Sequence, residues 1–298
     1  MKQLLDGLPK ILLLDYPFEG LDLKSRIELK EFLDYLVNRY GIQLVVSDHD
    51  HPHLPNTITQ KIELSASHAV VTKHIHREVE SIDFSPPQIA SKATEPVVEM
   101  RNLQIRYGST VIIKNLTWTI NRGERWALTG PNGSGKTTLF SLIYADHPMA
   151  YSEQVYLFGK RRGTGESIWD IKNRISYLGP EHVHFLDSAT SLLTVHNYLD
   201  LKKSTKSIID FFEIDHLLQK RLQHLSNGEL QLALLIALFM SPKELLLLDE
   251  PFQFLSPTQK ARVNKYLVDH LHETSTLVLI THYEEDVANW TNLRKKLQ

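Results

Sequence analysis

The 298-residue chain contains no cysteine, which excludes a disulfide scaffold, a thiolate nucleophile and Cys-ligated zinc or iron–sulfur centres. It has no excess of either charge. Its 33 Lys and Arg stand against 35 Asp and Glu, a formal net charge of -2, so no global field recruits nucleic acid. It also lacks a long apolar run: the longest, Leu232 to Met240, has nine residues, where a membrane-spanning helix needs about 20. The opening Met1-Lys2-Gln3-Leu4-Leu5 starts like a secretory signal, but Asp6, Gly7 and Pro9 interrupt it. These absences lead to the expectation of a cytoplasmic protein, with peripheral attachment at the inner face of the membrane left open.

What is present is an ordinary globular composition. Hydrophobic residues make up 42% of the chain, enough to build packed cores, and the length accommodates about two domains. Residues 1–84 alternate apolar β-type runs with one helical pattern around Ser25–Tyr40. Residues 85–96 hold three prolines and no large apolar cluster, the composition of an extended linker. From Val97 a dense alternation of strand and helix patterns runs to the C-terminus, which predicts an α/β domain with a largely parallel sheet.

The chain also resembles itself. Leu12-Leu13-Leu14-Asp15-Tyr16-Pro17-Phe18-Glu19-Gly20-Leu21-Asp22 aligns with Leu246 through Ser256 at an offset of 234, with seven of eleven positions identical. The same offset pairs Leu29, Phe32, Leu33 and Val37 with Val263, Tyr266, Leu267 and Leu271, and Val45-Val46-Ser47 with Leu279-Ile280-Thr281. Residues 9–64 therefore read as a second copy of the last fifth of the chain.

Gly130-Pro131-Asn132-Gly133-Ser134-Gly135-Lys136-Thr137 fits the pattern of a phosphate-binding loop, between a strand pattern (Trp126–Thr129) and a helix pattern opening at Thr138. Such glycines let backbone N–H groups close around phosphate oxygens at a helix N-terminus. Lys136 is expected to reach the β- and γ-phosphates and the Thr137 hydroxyl to ligate Mg²⁺. Leu245-Leu246-Leu247-Leu248 reads as a strand buried on both faces. The acid pair at its C-terminal end, Asp249-Glu250, lies where ligands bind in parallel sheets. Asp249 is expected to hold Mg²⁺ and Glu250 to polarise an attacking water.

With Leu225-Ser226-Asn227-Gly228-Glu229 between these motifs and Thr281-His282 after them, the order resembles the nucleotide-binding domain of the ATP-binding cassette (ABC) ATPases across nearly all of 97–298. The resemblance implies a P-loop NTPase with a mixed sheet and a helical signature subdomain, preceded here by a partial second copy. It implies ATP and Mg²⁺ as ligands and ATP hydrolysis as the activity. Tyr107 falls at the position that stacks on adenine. Gly130, Asn132, Gly133, Ser134, Gly135, Lys136, Thr137 and Thr138 form the phosphate loop, and His282 is the switch histidine at the γ-phosphate. Ser226 and Gly228 belong to a signature that serves the ATP of a partner domain, so a second ABC domain, in a homodimer or a separate chain, is the implied partner. A membrane permease is a further one.

Three departures stand out. The glutamine that the family places after Ile175–Leu178 falls at Pro180, with Glu181 next, and the Asp that closes the loop after Glu250 is Ser256. In the N-terminal copy the catalytic Glu position is Tyr16 and, at the offset of 234, the switch position is Asp48, with His49 adjacent. A tyrosine, with a reference pKa of about 10, is no general base near neutral pH. No phosphate loop or signature precedes that copy in this sequence, so it is expected not to assemble a site of its own. The tandem order and short linker resemble the soluble double ABC proteins of the molybdate-transport ATP-binding and photorepair type. The histidines around His49–His53, His74–His76 and His182–His184 read as solvated turns rather than a metal centre, and the basic runs Lys160–Arg162 and Arg294–Lys296 as solvated faces.

Overall fold

The computed structural model describes residues 9–48, 54–64, 69–72, 95–184, 186–201, 206–241, 243–271, 275–282, 291 and 293–297. They divide into two compact units, Met1–Phe84 and Ser85–Gln298. Residues 85–94 of the expected linker and the histidines 49, 51, 53, 74 and 76 lie outside the described residues.

In the first unit, β1 (Ile11–Asp15) and β2 (Gln43–Ser47) pair in parallel around α1 (Leu23–Tyr40), and β3 (Lys61–Leu64) pairs antiparallel with β4 (Ala69–Thr72). The helix begins where the Asp22 carboxylate accepts from the Ser25 N–H at 2.9 Å. It ends where Gly41, at φ 64, lets its N–H return to the Val37 carbonyl, a left-handed cap that only glycine adopts without strain. Phe18, Leu33, Leu36 and Ile42 form the small core beneath it.

The second unit holds two sheets. An antiparallel one is ordered β6-β5-β8-β9, from β5 (Pro96–Tyr107), β6 (Thr110–Asn121), β8 (Val155–Leu157) and β9 (Lys160–Arg161). A wholly parallel one is ordered β10-β11-β12-β7-β13, from β7 (Arg125–Thr129), β10 (Ile175–Leu178), β11 (Leu245–Asp249), β12 (Thr276–Ile280) and β13 (Leu293–Lys296). The helices are α2 (Lys136–Ile143), α3 (Ile168–Lys172), α4 (Pro180–His184), α5 (Ser188–Ser191), α6 (Val195–Tyr198), α7 (Lys206–Phe212), α8 (Asn227–Met240) and α9 (Pro257–Asp269).

All five residues of β11 and all five of β12 are buried, as the leucine run predicts. Alternation explains why both faces are apolar. Leu246, Leu248, Leu277 and Leu279 join a core with α8 and α9, while Leu245, Leu247, Val278 and Ile280 join one with α2 and the antiparallel sheet. The helix α8 is apolar on nearly every side and eight of its fourteen residues are buried, which suits a helix enclosed by its neighbours.

The internal repeat extends to the backbone. Tyr16 and Glu250 both take positive φ, at 46° and 51°, and their N–H groups donate to Ser47 and Ile280 at 2.8 and 3.0 Å. Gly20 and Phe254 follow at φ 67° and 64°. One expectation is corrected here. Leu13 pairs with Val45 and Leu247 with Val278, so the last strands correspond at an offset of 233, because the stretch from the start of the helix to the following strand is one residue longer in the first copy. Counted from the strand ends Ser47 and Ile280, the position matching His282 is His49, not Asp48; His49 itself lies outside the described residues.

Candidate active site

The site is assembled at the C-terminal ends of β7, β11 and β12, three parallel strands that end side by side. The loop 130–135 leaves β7 and enters α2 with no side chain capping that helix, so its N-terminal end is free to meet an anion. Gly135 sits at φ 92, and a Cβ there would come within 2.9 Å of Ile112 and 3.0 Å of Ile113. No other residue fits. The Lys136 ammonium turns back onto the carbonyls of Gly130 and Pro131 at 2.8 and 2.9 Å, which holds the loop closed around its own charge. Asn132 and Gly133 form the turn of the loop, and Thr138 is the third residue of α2.

Ser134 is buried and its Oγ has no hydrogen-bond partner among the described residues. A cavity of about 620 Å³ opens against it, lined among others by Ile112, Lys114, Thr117, Lys295 and Lys296. Three lysines, with no carboxylate among the described lining residues, give this side of the loop a field that favours an anionic ligand.

The Thr137 hydroxyl donates to Asp249 at 2.7 Å, joining the phosphate loop to the leucine-rich strand. Asp249 is 3% exposed. Burial pushes its carboxyl up to about 6, against the opposing effects of the Thr137 hydrogen bond and the Lys136 charge. A hydroxyl and a carboxylate side by side are the hard oxygen donors that Mg²⁺ takes. Among the described residues no cluster of three or more His, Asp or Glu is arranged for a metal.

Glu250 follows at φ 51, a conformation costly for a side chain other than glycine and met at functional turns. Its carboxylate pairs with His282 Nε2 at 3.3 Å, and both side chains are largely buried. Gln231 of α8, itself buried, donates to the Pro251 carbonyl at 3.0 Å and clamps this turn from behind. Sequence reasoning missed Gln231. Its signal is a polar side chain inside the otherwise apolar run of α8.

The structure thus brings Lys136, Thr137, Asp249, Glu250 and His282 together. Tyr107 stands at the end of β5 with an exposed ring, and its hydroxyl meets His147 Nε2 at 2.9 Å. Ser226 and Gly228 form a second cluster at the start of α8. The Ser226 side chain caps the helix by accepting from the Glu229 N–H at 3.3 Å, while the Glu229 carboxylate accepts from the Ser226 N–H at 2.8 Å, a capping box. Burial opposes ionisation of Glu229, but Lys220 and the Ser226 contacts outweigh it and hold its carboxyl below the usual range. At Gly228 a Cβ would lie 2.5 Å from the Phe254 carbonyl oxygen, so the signature glycine is required by contact with the loop that follows Glu250. Ser256, where an Asp was expected, caps α9 by accepting from the Gln259 N–H at 3.3 Å.

Comparison with known proteins places this geometry. Residues 113–253 match the family model described as "ABC transporter". The chain is 33% identical over 312 residues to the ABC transporter ATP-binding protein ModF of Escherichia coli K12, across 93% of this chain and 64% of that one. It is 31% identical to an uncharacterized ABC transporter ATP-binding protein, C323.04, of Schizosaccharomyces pombe, across 96% of this chain and 63% of the relative. The chain therefore spans a little under two thirds of the length of these two relatives. It is also 30% identical to the zinc import ATP-binding protein ZnuC of Jannaschia sp., across 64% of this chain and 74% of that protein. Among solved structures, an ATP-binding subunit of an ABC transporter superposes with a TM-score of 0.58 at 20% identity, over 68% of this chain and 86% of that one. The cbiO1 protein of Clostridium perfringens does so with 0.56 at 22%, over 68% and 85%; these two likenesses concern the fold. The phosphate loop, the acid pair at the end of β11 and these relatives together establish that the chain belongs to the ABC family of ATP-binding proteins.

Proposed function

We propose that the chain binds Mg-ATP at the 130–138 loop and hydrolyses it, with Glu250 and His282 acting on the γ-phosphate side. The observation that carries this reading is the convergence of Thr137, Asp249, Glu250 and His282 at three adjacent strand ends. Bound Mg²⁺ supplies charge neutralisation for the departing phosphate. The protein's own groups do the rest. Lys136 leaves the loop carbonyls for phosphate oxygens, the exposed Tyr107 ring offers a face to adenine, and His282 orients the Glu250 carboxylate toward a water. Ser226 and Gly228, on a separate helix start, are proposed to serve the nucleotide of a second ABC domain.

Lys136→Ala is expected to abolish nucleotide binding. Glu250→Gln is expected to keep ATP bound, stop turnover and trap a dimer, checked by phosphate release and by size-exclusion chromatography with and without Mg-ATP. Unchanged turnover in both variants overturns the reading. A second reading, ATP-dependent assembly with negligible hydrolysis, draws on two observations: Pro180 offers no side-chain ligand, and the Ser256 side chain is occupied as a helix cap. It predicts nucleotide-driven dimers without phosphate release.

A narrower role, as a cytoplasmic ATP-binding protein of a molybdate-transport-like system with or without a permease at the membrane, is proposed from the tandem order; the match to an ABC transporter ATP-binding protein, ModF, supports the ATP-binding part of it. Zinc-import ATP-binding proteins match the same cassette, so the cassette alone does not select a cargo. Among the described residues no helix is long and apolar enough to cross a membrane.

A further inference from the structure

The hairpin that carries Tyr107 sets its backbone and leaves its ring to be placed by another element. Tyr107 is the last residue of β5 and pairs with Thr110, the first of β6, so the ladder fixes its Cα. The residue is 53% exposed, and an exposed tyrosine left to itself samples several rotamers. Here its hydroxyl reaches a residue forty positions on. It lies 2.9 Å from His147 Nε2, with the two rings edge-on at 80° and 6.0 Å between centroids.

His147 is fixed at three points. Its N–H donates to the Ser141 carbonyl of α2 at 3.2 Å, and its carbonyl accepts from the Ala150 N–H at 3.1 Å. Its Nδ1 accepts from the Met149 N–H at 3.3 Å and so caps the 3₁₀ turn Pro148–Tyr151. That last contact selects the tautomer. A neutral imidazole whose Nδ1 accepts carries its proton on Nε2, so Nε2–H donates and the Tyr107 oxygen accepts. Burial pushes the imidazole below its ordinary value, which keeps it neutral at pH 7.

His147 therefore hangs from the C-terminal end of α2, the eight-residue helix whose other end receives the phosphate loop. Through it the Tyr107 ring is tied to a rigid element about 12 Å long. A ring already held in place loses less side-chain freedom when a flat base settles on it, and binding is tighter by that difference.

We propose that His147 is a positioning residue for the nucleotide base: its Nε2–H holds the Tyr107 ring in the orientation that stacks on adenine, and α2 carries the base platform and the phosphate loop as one body. The proposal rests on the reading of Tyr107 as the adenine platform given above.

The test is isothermal titration calorimetry of the full chain with a non-hydrolysable Mg-ATP analogue and, as a probe without a base, Mg-tripolyphosphate. His147→Asn is the informative variant. Asparagine is a good cap, so the contact with Met149 is kept, but its side chain is too short to reach the Tyr107 hydroxyl. Analogue affinity is expected to fall about fivefold in His147→Asn, the worth of one neutral hydrogen bond. Tyr107→Phe keeps the stacking face and loses the acceptor, and should fall by the same factor. The double variant should be no weaker than either single one, because both remove one shared contact. Tripolyphosphate binding and the melting temperature should match wild type in all three. Analogue affinity in His147→Asn that is unchanged, or raised because the bond parks the ring away from the base, overturns the proposal. An equal loss of tripolyphosphate binding also overturns it, by placing the effect in α2 rather than at the base. Unchanged analogue affinity in Tyr107→Ala overturns the adenine reading of Tyr107 instead.

Discussion

At the scale of single residues, the site is defined as much by what does not fit as by what reacts. Gly228 shows this. Its hydrogen faces the Phe254 carbonyl, and a methyl group there would sit 2.5 Å from that oxygen. Gly→Ala inside a helix ordinarily gains about 1 kcal/mol, whereas forcing a carbon into packed backbone costs about 1–3 kcal/mol. Gly228→Ala is therefore expected to lower the melting temperature by a few degrees and to slow turnover, since the displaced Phe254 loop begins at Glu250. A melting temperature at or above wild type would show that the loop moves aside freely. The sequence made most of these residues legible because the reacting groups are tied to short contiguous patterns. Gln231 and His147, which meet Pro251 and Tyr107, were not legible beside the site. Each acts through a neighbour distant in the chain, and no local spacing encodes such a meeting.

At the scale of elements, the leucine run of β11 was readable because a strand buried on both faces has no polar alternation to confuse it. Its anchoring was not. Glu244, just before β11, accepts from Arg174 ahead of β10 at 2.8 Å and from Arg122 after β6 at 2.9 Å, binding three element ends at one point. The Arg174 hydrogen bond first, then that of Arg122, holds the Glu244 carboxyl down at about 2, despite an opposing burial effect. A depressed acid contributes stability that is present above its unfolded value near 4.5 and is lost as pH falls toward 2. The side chain is 35% exposed, so solvent screening reduces the contribution to about 1 kcal/mol. Glu244→Gln should thus melt earlier than wild type at pH 7, and the two curves should converge between pH 4.5 and 2. A gap that persists unchanged at pH 2 would assign the loss to packing rather than charge.

At the scale of the whole molecule, one sequence element occurs twice with opposite consequences. Leu247 in β11 is fully buried, while Leu13, its counterpart in β1, is 72% exposed, along with Ile11 and Val45 on the same strand pair. The backbone of the two copies agrees down to the positive φ of Tyr16 and Glu250, so local sequence built the same turn in both places. What differs is the set of neighbours: β11 and β12 have strands on both outer edges, and among the described residues β1 and β2 pair only with each other. This difference was invisible to any pattern within the element, because burial is a property of the surrounding sheet. It yields a paired prediction. Leu247→Asp places a charge in a closed core and should leave the second unit unfolded or insoluble. Leu13→Asp should change the melting temperature little, as exposed substitutions usually fall within about 0.5 kcal/mol. Thermal melts and size-exclusion profiles of the two variants decide the matter. Equal damage from both would mean that the face carrying Leu13 is covered in the intact protein, which would locate there the contacts that its buried counterpart makes within its own sheet.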